Sequence, residues 1–336
     1  MKIDLDRLEF TVDGRGIVQL PPTLRGFVNE GSAWRRHWLH HLICQKIYQQ
    51  KHDGAPPADT AAGDDLIERG YHLFPGSTEP QICEQYVHMF DDFLALGNNS
   101  AENEHGRSYY PIPWSHQKGA MMRLNLTEFL TSDITAALEA YYGSYFQIIS
   151  IAMRRHLPQR ETLASFQWHR DFEPPQQTHL IVYLNGASDT TGATSVLDLE
   201  SSKKAANAGY SYRSAEDRTD GLDNVFDGSI KDASILTPEL SSGGSMLFAA
   251  PRVLHRGVLP KIGYRDTLLF LFIPSPVPWQ ERIGSSFAKI LRNDNIRNSR
   301  FIDPFNEFSD ISFAPPAYTP SWIVDGNMFP PEGETA

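Results

Sequence analysis

Residues 146–199 read FQIISIAMRRHLPQRETLASFQWHRDFEPPQQTHLIVYLNGASDTTGATSVLDL. Short apolar or alternating runs follow one another here, separated by turn residues, and no helical period intervenes. The runs Phe146–Arg155, Ala164–His169, His179–Asn185 and Thr194–Leu199 have the length and the β-branched and aromatic content of strands. The pattern resumes at Ser245–Ala249, Val253–Leu259 and Asp266–Pro274. Several short strands in succession predict an antiparallel sandwich or barrel.

Outward from this core the sequence changes character. Upstream the apolar period is helical. Trp34–Gln50 places Trp34, Trp38 and Leu42 on one stripe, with His37, His40 and His41 expected on a solvated polar face. Gln81–Leu96 turns Ile82, Tyr86, Met89, Phe90 and Phe93 inward and stops at Gly97. A third helix starts at Thr131 or Ser132 and ends at Gly143. His52–Asp65 and Asn98–Pro113 read as loops. This divides the chain into a helical N-terminal region (1–145), a β core (146–274) and a Pro-rich C-terminal extension (275–336). Within the core, Ser201–Gly243 is a long polar stretch with scattered apolar anchors, expected to be a lid-like insert.

Composition bounds the function. The chain has 336 residues, 40% hydrophobic and 21% charged, enough to build a substantial core. A net charge of −11 argues against nucleic acid or an anionic membrane as partner, since either needs a basic face. Cys44 and Cys83 lie too far apart to form a Cys-x-x-Cys pair and are expected as free thiols. The N-terminus lacks an apolar signal-peptide region, and no apolar stretch reaches the roughly 20 residues of a membrane span. These features predict a soluble cytoplasmic protein.

The chemistry is carried by Ser165-Phe-Gln-Trp-His169-Arg-Asp171. On a strand, residues two apart share a face, so His169 and Asp171 direct an imidazole and a carboxylate at one point. They supply two thirds of the facial triad that holds iron(II) with open positions. A His-x-Asp triplet alone arises by chance in a chain with 12 His. Its weight comes from Gly243-Gly-Ser-Met-Leu-Phe-Ala-Ala-Pro-Arg-Val-Leu-His255, which offers a third ligand, and from Arg265, which opens an apolar strand ten residues later. A guanidinium at the head of such a strand is costly unless a carboxylate meets it. Taken singly, His255 also reads as a satisfied interior histidine, and Arg265 as a rim residue paired with Asp266 or Glu281.

This order of residues resembles the iron(II)/2-oxoglutarate-dependent dioxygenases, and within them the phytanoyl-CoA dioxygenase-like group that includes ectoine hydroxylase. Trp168-His-Arg-Asp-Phe-Glu173, Gly192-Ala-Thr, Gly244-Ser-Met-Leu-Phe and Leu254-His-Arg-Gly257 carry the resemblance, which spans roughly Thr131 to Pro274. It implies a double-stranded β-helix (jelly roll) with helices outside. It also implies Fe(II) on His169, Asp171 and His255, 2-oxoglutarate as cosubstrate, and O2. Arg265 would meet the far carboxylate of 2-oxoglutarate, with Thr267, Gln167 and Arg155 beside it. The family's halogenases lack the triad carboxylate, so Asp171 implies hydroxylation or another oxidation. A non-catalytic jelly-roll binding module and a cupin-like metalloenzyme are the alternatives. Arg265 argues against both, because neither has a use for a distal carboxylate-binding arginine.

Overall fold

The computed structural model of the chain describes residues 11–12, 18–19, 33–95, 109–111, 124–158, 164–171, 176–210, 217–222 and 235–280. The helices are α1 (Ala33–Lys51), α2 (Ala61–Glu68), α3 (Pro80–Ala95), α4 (Ser132–Tyr142) and α5 (Leu199–Asn207). The strands are β1 (Thr11–Val12), β2 (Val18–Gln19), β3 (Tyr71–Phe74), β4 (Tyr109–Pro111), β5 (Tyr145–His156) and β6 (Thr178–Tyr183). They continue with β7 (Thr194–Leu197), β8 (Ile235–Leu236), β9 (Ser245–Phe248), β10 (His255–Gly257) and β11 (Arg265–Ser275). The architecture is mainly antiparallel β-sheet with flanking helices. A six-stranded sheet runs in the order β3-β9-β6-β11-β5-β4 and a three-stranded sheet in the order β10-β7-β8; β1 and β2 form a separate pair.

Strand alternation sorts the large sheet into two faces. Phe146, Ile148, Ile151 and Met153 of β5 pack outward with Leu180 and Val182 of β6 and Leu268, Phe270 and Phe272 of β11. Helices cover this outer face through Leu66 of α2, Phe90 of α3, and Ile134, Leu138 and Tyr142 of α4. The opposite, inner face carries Tyr71, Tyr183, Met246 and Phe248, which cluster with Ala193 just before β7 and with Val196 and Leu236 of the small sheet. The two sheets therefore face one another, and the space between them is where inward polar side chains converge.

Several local expectations are corrected. His52–Asp65 contains the start of α2, whose first turn Thr60 caps by accepting from the Gly63 amide at 2.9 Å. Ala164–His169 is not a strand. A 3-10 turn at Ala164–Phe166 is followed by isolated pairings of Trp168 with Thr219 and of His169 with His255. Ser201–Gly243 begins as α5, capped by Asp198, which accepts from the Ser201 amide at 2.7 Å. His41 is fully buried rather than solvated, with Nε2 2.6 Å from the Tyr142 carbonyl, and His40 is buried beside it. Gly143 ends α4 in the left-handed conformation at φ 62°, as expected, and Cys44 and Cys83 are both buried. The side chains of Trp34, His37, Trp38 and Phe93, and residues 172–175, 211–216, 223–234 and 281–336, lie outside the described residues. No described helix is long and apolar enough to cross a membrane.

Candidate metal centre

His169, Asp171 and His255 come together between the sheets, their ligand atoms all within 4.8 Å of one another. Pairing across the fold brings them there: the His169 amide donates to the His255 carbonyl at 3.0 Å and the His255 amide returns the bond at 2.9 Å. The Asp171 amide reaches the Ala250 carbonyl at 3.4 Å. The ring Nδ1 of His169 lies 2.7 Å from the Gln167 carbonyl, and that of His255 lies 3.1 Å from the Val253 carbonyl. A carbonyl only accepts, so each Nδ1 carries a proton, and Nε2 is the ring nitrogen turned toward the cluster. Both Nε2 atoms point at the carboxylate: His169 is 3.6 Å from Asp171 Oδ1, and His255 is 3.5 Å from Oδ2. Carbonyl-anchored imidazoles are the usual outer support of metal-ligating histidines.

The electrostatics fit a cation site. Burial, reinforced by His255, pushes the His169 pKa down to about 3, which keeps the ring neutral. Burial alone would push the Asp171 carboxyl up, but His255, His179 and His169 together hold it well below the usual carboxylate range. Two imidazole nitrogens and one ionised carboxylate oxygen form a mixed donor set suited to a divalent first-row metal.

Arg265 lies on the inner face of β11, only 2% exposed, and no carboxylate among the described residues meets it. Its Nη1 donates to the carbonyls of Thr191 (2.9 Å) and Val258 (2.8 Å), while its Nε is buried with no acceptor among the described residues. Burial lowers its pKa to about 10. Val258 is three residues beyond His255, which bounds the distance between their Cα atoms at about 10 Å. Gly192 makes room for the guanidinium: a Cβ there would sit 2.6 Å from Arg265 Nη1 and 2.3 Å from the Val258 carbonyl, and its φ is +73°. Thr267, two residues along β11, shares the inner face and pairs with Tyr183 and Arg154.

One expected site residue is placed differently. Arg155 faces outward, not into the site. It donates from Nε and Nη2 to Asp266 at 2.8 and 2.6 Å and from Nη1 to Asp91 at 2.7 Å, with its guanidinium over the Phe90 and Tyr264 rings. The cause is a bulge: Leu271 pairs with Ser150 but Phe272 pairs with Ile148, so Ile149 is unmatched and the later residues of β5 change face. Arg154, not Arg155, shares the inner face. Gln167 contributes its backbone carbonyl, the acceptor for His169.

Sequence reasoning missed His179. It points inward from β6, with Nε2 3.6 Å from Asp171 Oδ2, and the Gln177 amide donates to it at 2.6 Å. Its period-2 relation to Ile181 and Tyr183 was visible, but nothing in the sequence put β6 beside Asp171. Ile181, Leu269 and Leu271, all half-buried on the same face, give this region an apolar wall. The described parts of the 201–243 segment pack beneath the centre: Tyr210 and Leu222 join Trp168, Leu197, Ala205 and Leu254 in one cluster.

No family profile and no curated protein matches the chain. Solved structures do. The epimerase SnoN, in complex with Fe3+, alpha ketoglutarate and nogalamycin RO, is similar at TM-score 0.46 and 13% identity, over 63% of this chain and 82% of that one. EctD from S. alaskensis with bound Fe is similar at TM-score 0.47 and 13% identity, over 65% and 77%. The carbocyclase SnoK from nogalamycin biosynthesis is similar at TM-score 0.43 and 14% identity, over 64% and 84%.

Proposed function

We propose that the protein is an iron(II)- and 2-oxoglutarate-dependent oxygenase of a small molecule, built on a double-stranded β-helix core over residues 146–274. The observation that carries this reading is Arg265: a buried guanidinium that meets no carboxylate and leaves its Nε without an acceptor among the described residues, anchored close to a His-Asp-His cluster. An uncompensated buried charge of this kind is costly, and an anionic ligand relieves it. A dicarboxylate reaching from the metal ligands to Arg265 meets both needs at once. His169, Asp171 and His255 would hold the iron, Arg265 and Thr267 the distal carboxylate.

Bound iron(II) with 2-oxoglutarate supplies O2 activation coupled to decarboxylation of 2-oxoglutarate to succinate. The chain's own part is to aim both imidazoles through their Nδ1–carbonyl contacts, to keep His169 neutral, to hold Asp171 ionised, and to shield the centre between two sheets. Asp171 fills the carboxylate position, so we assign hydroxylation or a related oxidation of an aliphatic C–H. The half-buried Ile181, Leu269 and Leu271 suit an apolar portion of the substrate.

The test is anaerobic. Apoprotein loaded with one equivalent of Fe(II) should develop a visible charge-transfer band on adding 2-oxoglutarate, and admitting O2 should yield succinate. Absence of both metal binding and the band would sink the assignment. Metal binding without the band would favour a cupin-like metalloenzyme.

A further inference from the structure

The peptide unit joining Trp168 to His169 is gripped at both polar atoms. Its N–H, from His169, donates to the His255 carbonyl at 3.0 Å. Its carbonyl, from Trp168, accepts from the Tyr210 hydroxyl at 2.8 Å. The same hydroxyl accepts from the Thr219 amide at 3.0 Å, and the Thr219 carbonyl accepts from the Trp168 amide at 2.8 Å. The ligand segment thus lies between two supports, β10 on one flank and residues 217–222 on the other. Tyr210 is 3% exposed, and its ring packs with Trp168, Leu197, Ala205, Leu222 and Leu254. The Arg256 guanidinium lies 5.0 Å over the Trp168 ring and donates to the Asp220 carbonyl, tying the same two segments again.

A peptide plane fixed at both ends leaves the following residue little freedom in φ, and hence little freedom in where its imidazole points. We propose that Tyr210 is a positioning residue for the metal ligand His169, acting through the Trp168 carbonyl. This rests on reading the cluster as a metal centre. It gives the 201–243 segment a task distinct from closing over the site: its first part holds up one ligand from outside, where truncating an outer support costs metal affinity about 10- to 100-fold.

Tyr210→Phe keeps the ring in its cluster and removes only the hydroxyl. The comparison is Tyr142→Phe, which deletes a fully buried hydroxyl bonded to Thr178 (2.7 Å) and the Phe272 carbonyl (3.1 Å) on the outer side of the sheet. Full-length apoproteins are titrated anaerobically with Co(II), reading affinity and the visible d–d spectrum. Tyr210→Phe should bind Co(II) about 10-fold or more weakly and with an altered spectrum, while Tyr142→Phe keeps the parent's affinity and spectrum. Parent-like binding by Tyr210→Phe overturns the proposal, as does equal weakening in both variants or a Tyr210→Phe chain that fails to fold. A parent that binds no Co(II) overturns the metal reading itself, which separates the two failures.

Discussion

Arg265 and Asp266 are consecutive in the chain, yet their charges go to opposite faces of the large sheet. Asp266 is fully buried in a two-pronged ion pair with Arg155 on the helical side, whereas Arg265 lies on the face of the His-Asp-His cluster, with no carboxylate partner among the described residues. The sequence left Asp266 as a possible partner for Arg265; alternation along β11 forbids it. Arg265→Ala should therefore weaken 2-oxoglutarate binding by about 2–3 kcal/mol, the loss expected for a charge-assisted pair. Metal affinity should stay unchanged in an anaerobic titration. Gly192→Ala should weaken the cosubstrate in the same direction by displacing the guanidinium. An Arg265→Ala titration identical to the parent's would remove Arg265 from the site.

Arg155 gives the opposite signature. Arg155→Met strands the buried Asp266 carboxylate, whose pKa burial already pushes up. Breaking such a pair costs about 3–5 kcal/mol. Urea unfolding should show that loss, while 2-oxoglutarate affinity at temperatures where the variant is folded should match the parent. A weakened cosubstrate at full stability would return Arg155 to the pocket.

The triad and His179 should separate in a metal titration. His169→Ala and His255→Ala should each abolish binding of one Fe(II) per chain while circular dichroism stays native. His179→Phe should leave the stoichiometry at one and weaken affinity about 10-fold, because His179 touches Asp171 from outside the three-ligand group. Loss of binding in His179→Phe as complete as in His169→Ala would make it a ligand.

Buried neutral histidine sets an acid limit on stability. Burial lowers the His41 pKa from 6.5 to about 4, against the opposing pull of the Tyr142 carbonyl. The unfolded chain then takes up a proton between these values that the folded chain refuses. Stability from this group is full above pH 6.5 and is lost as pH falls toward 4, by at most about 3 kcal/mol. His41→Gln should flatten the decline in unfolding free energy between pH 7 and 5 relative to the parent. An unchanged slope would show that His41 is solvated.

The sequence by itself determined the succession of strand runs from Phe146 to Pro274, apart from Ala164–His169, the bounds of α1, α3 and α4 to within a residue or two, and His169, Asp171, His255 and Arg265 as candidate site residues. These are legible because period, spacing and caps are local properties, and because an imidazole, a carboxylate and a guanidinium on apolar strands are conspicuous. Tertiary structure decided the rest. Counting straight along β5 from the outward Phe146 turns Arg155 inward, and one unmatched residue at Ile149 reverses it. His179 and Tyr210 became site residues only when β6 and the 201–222 segment were laid beside Asp171 and Trp168. His41 was buried only when α1 reached the carbonyl end of α4. Each of these depends on pairing between distant segments, and a bulge or a docking contact leaves no periodic trace in the strand or helix that carries it.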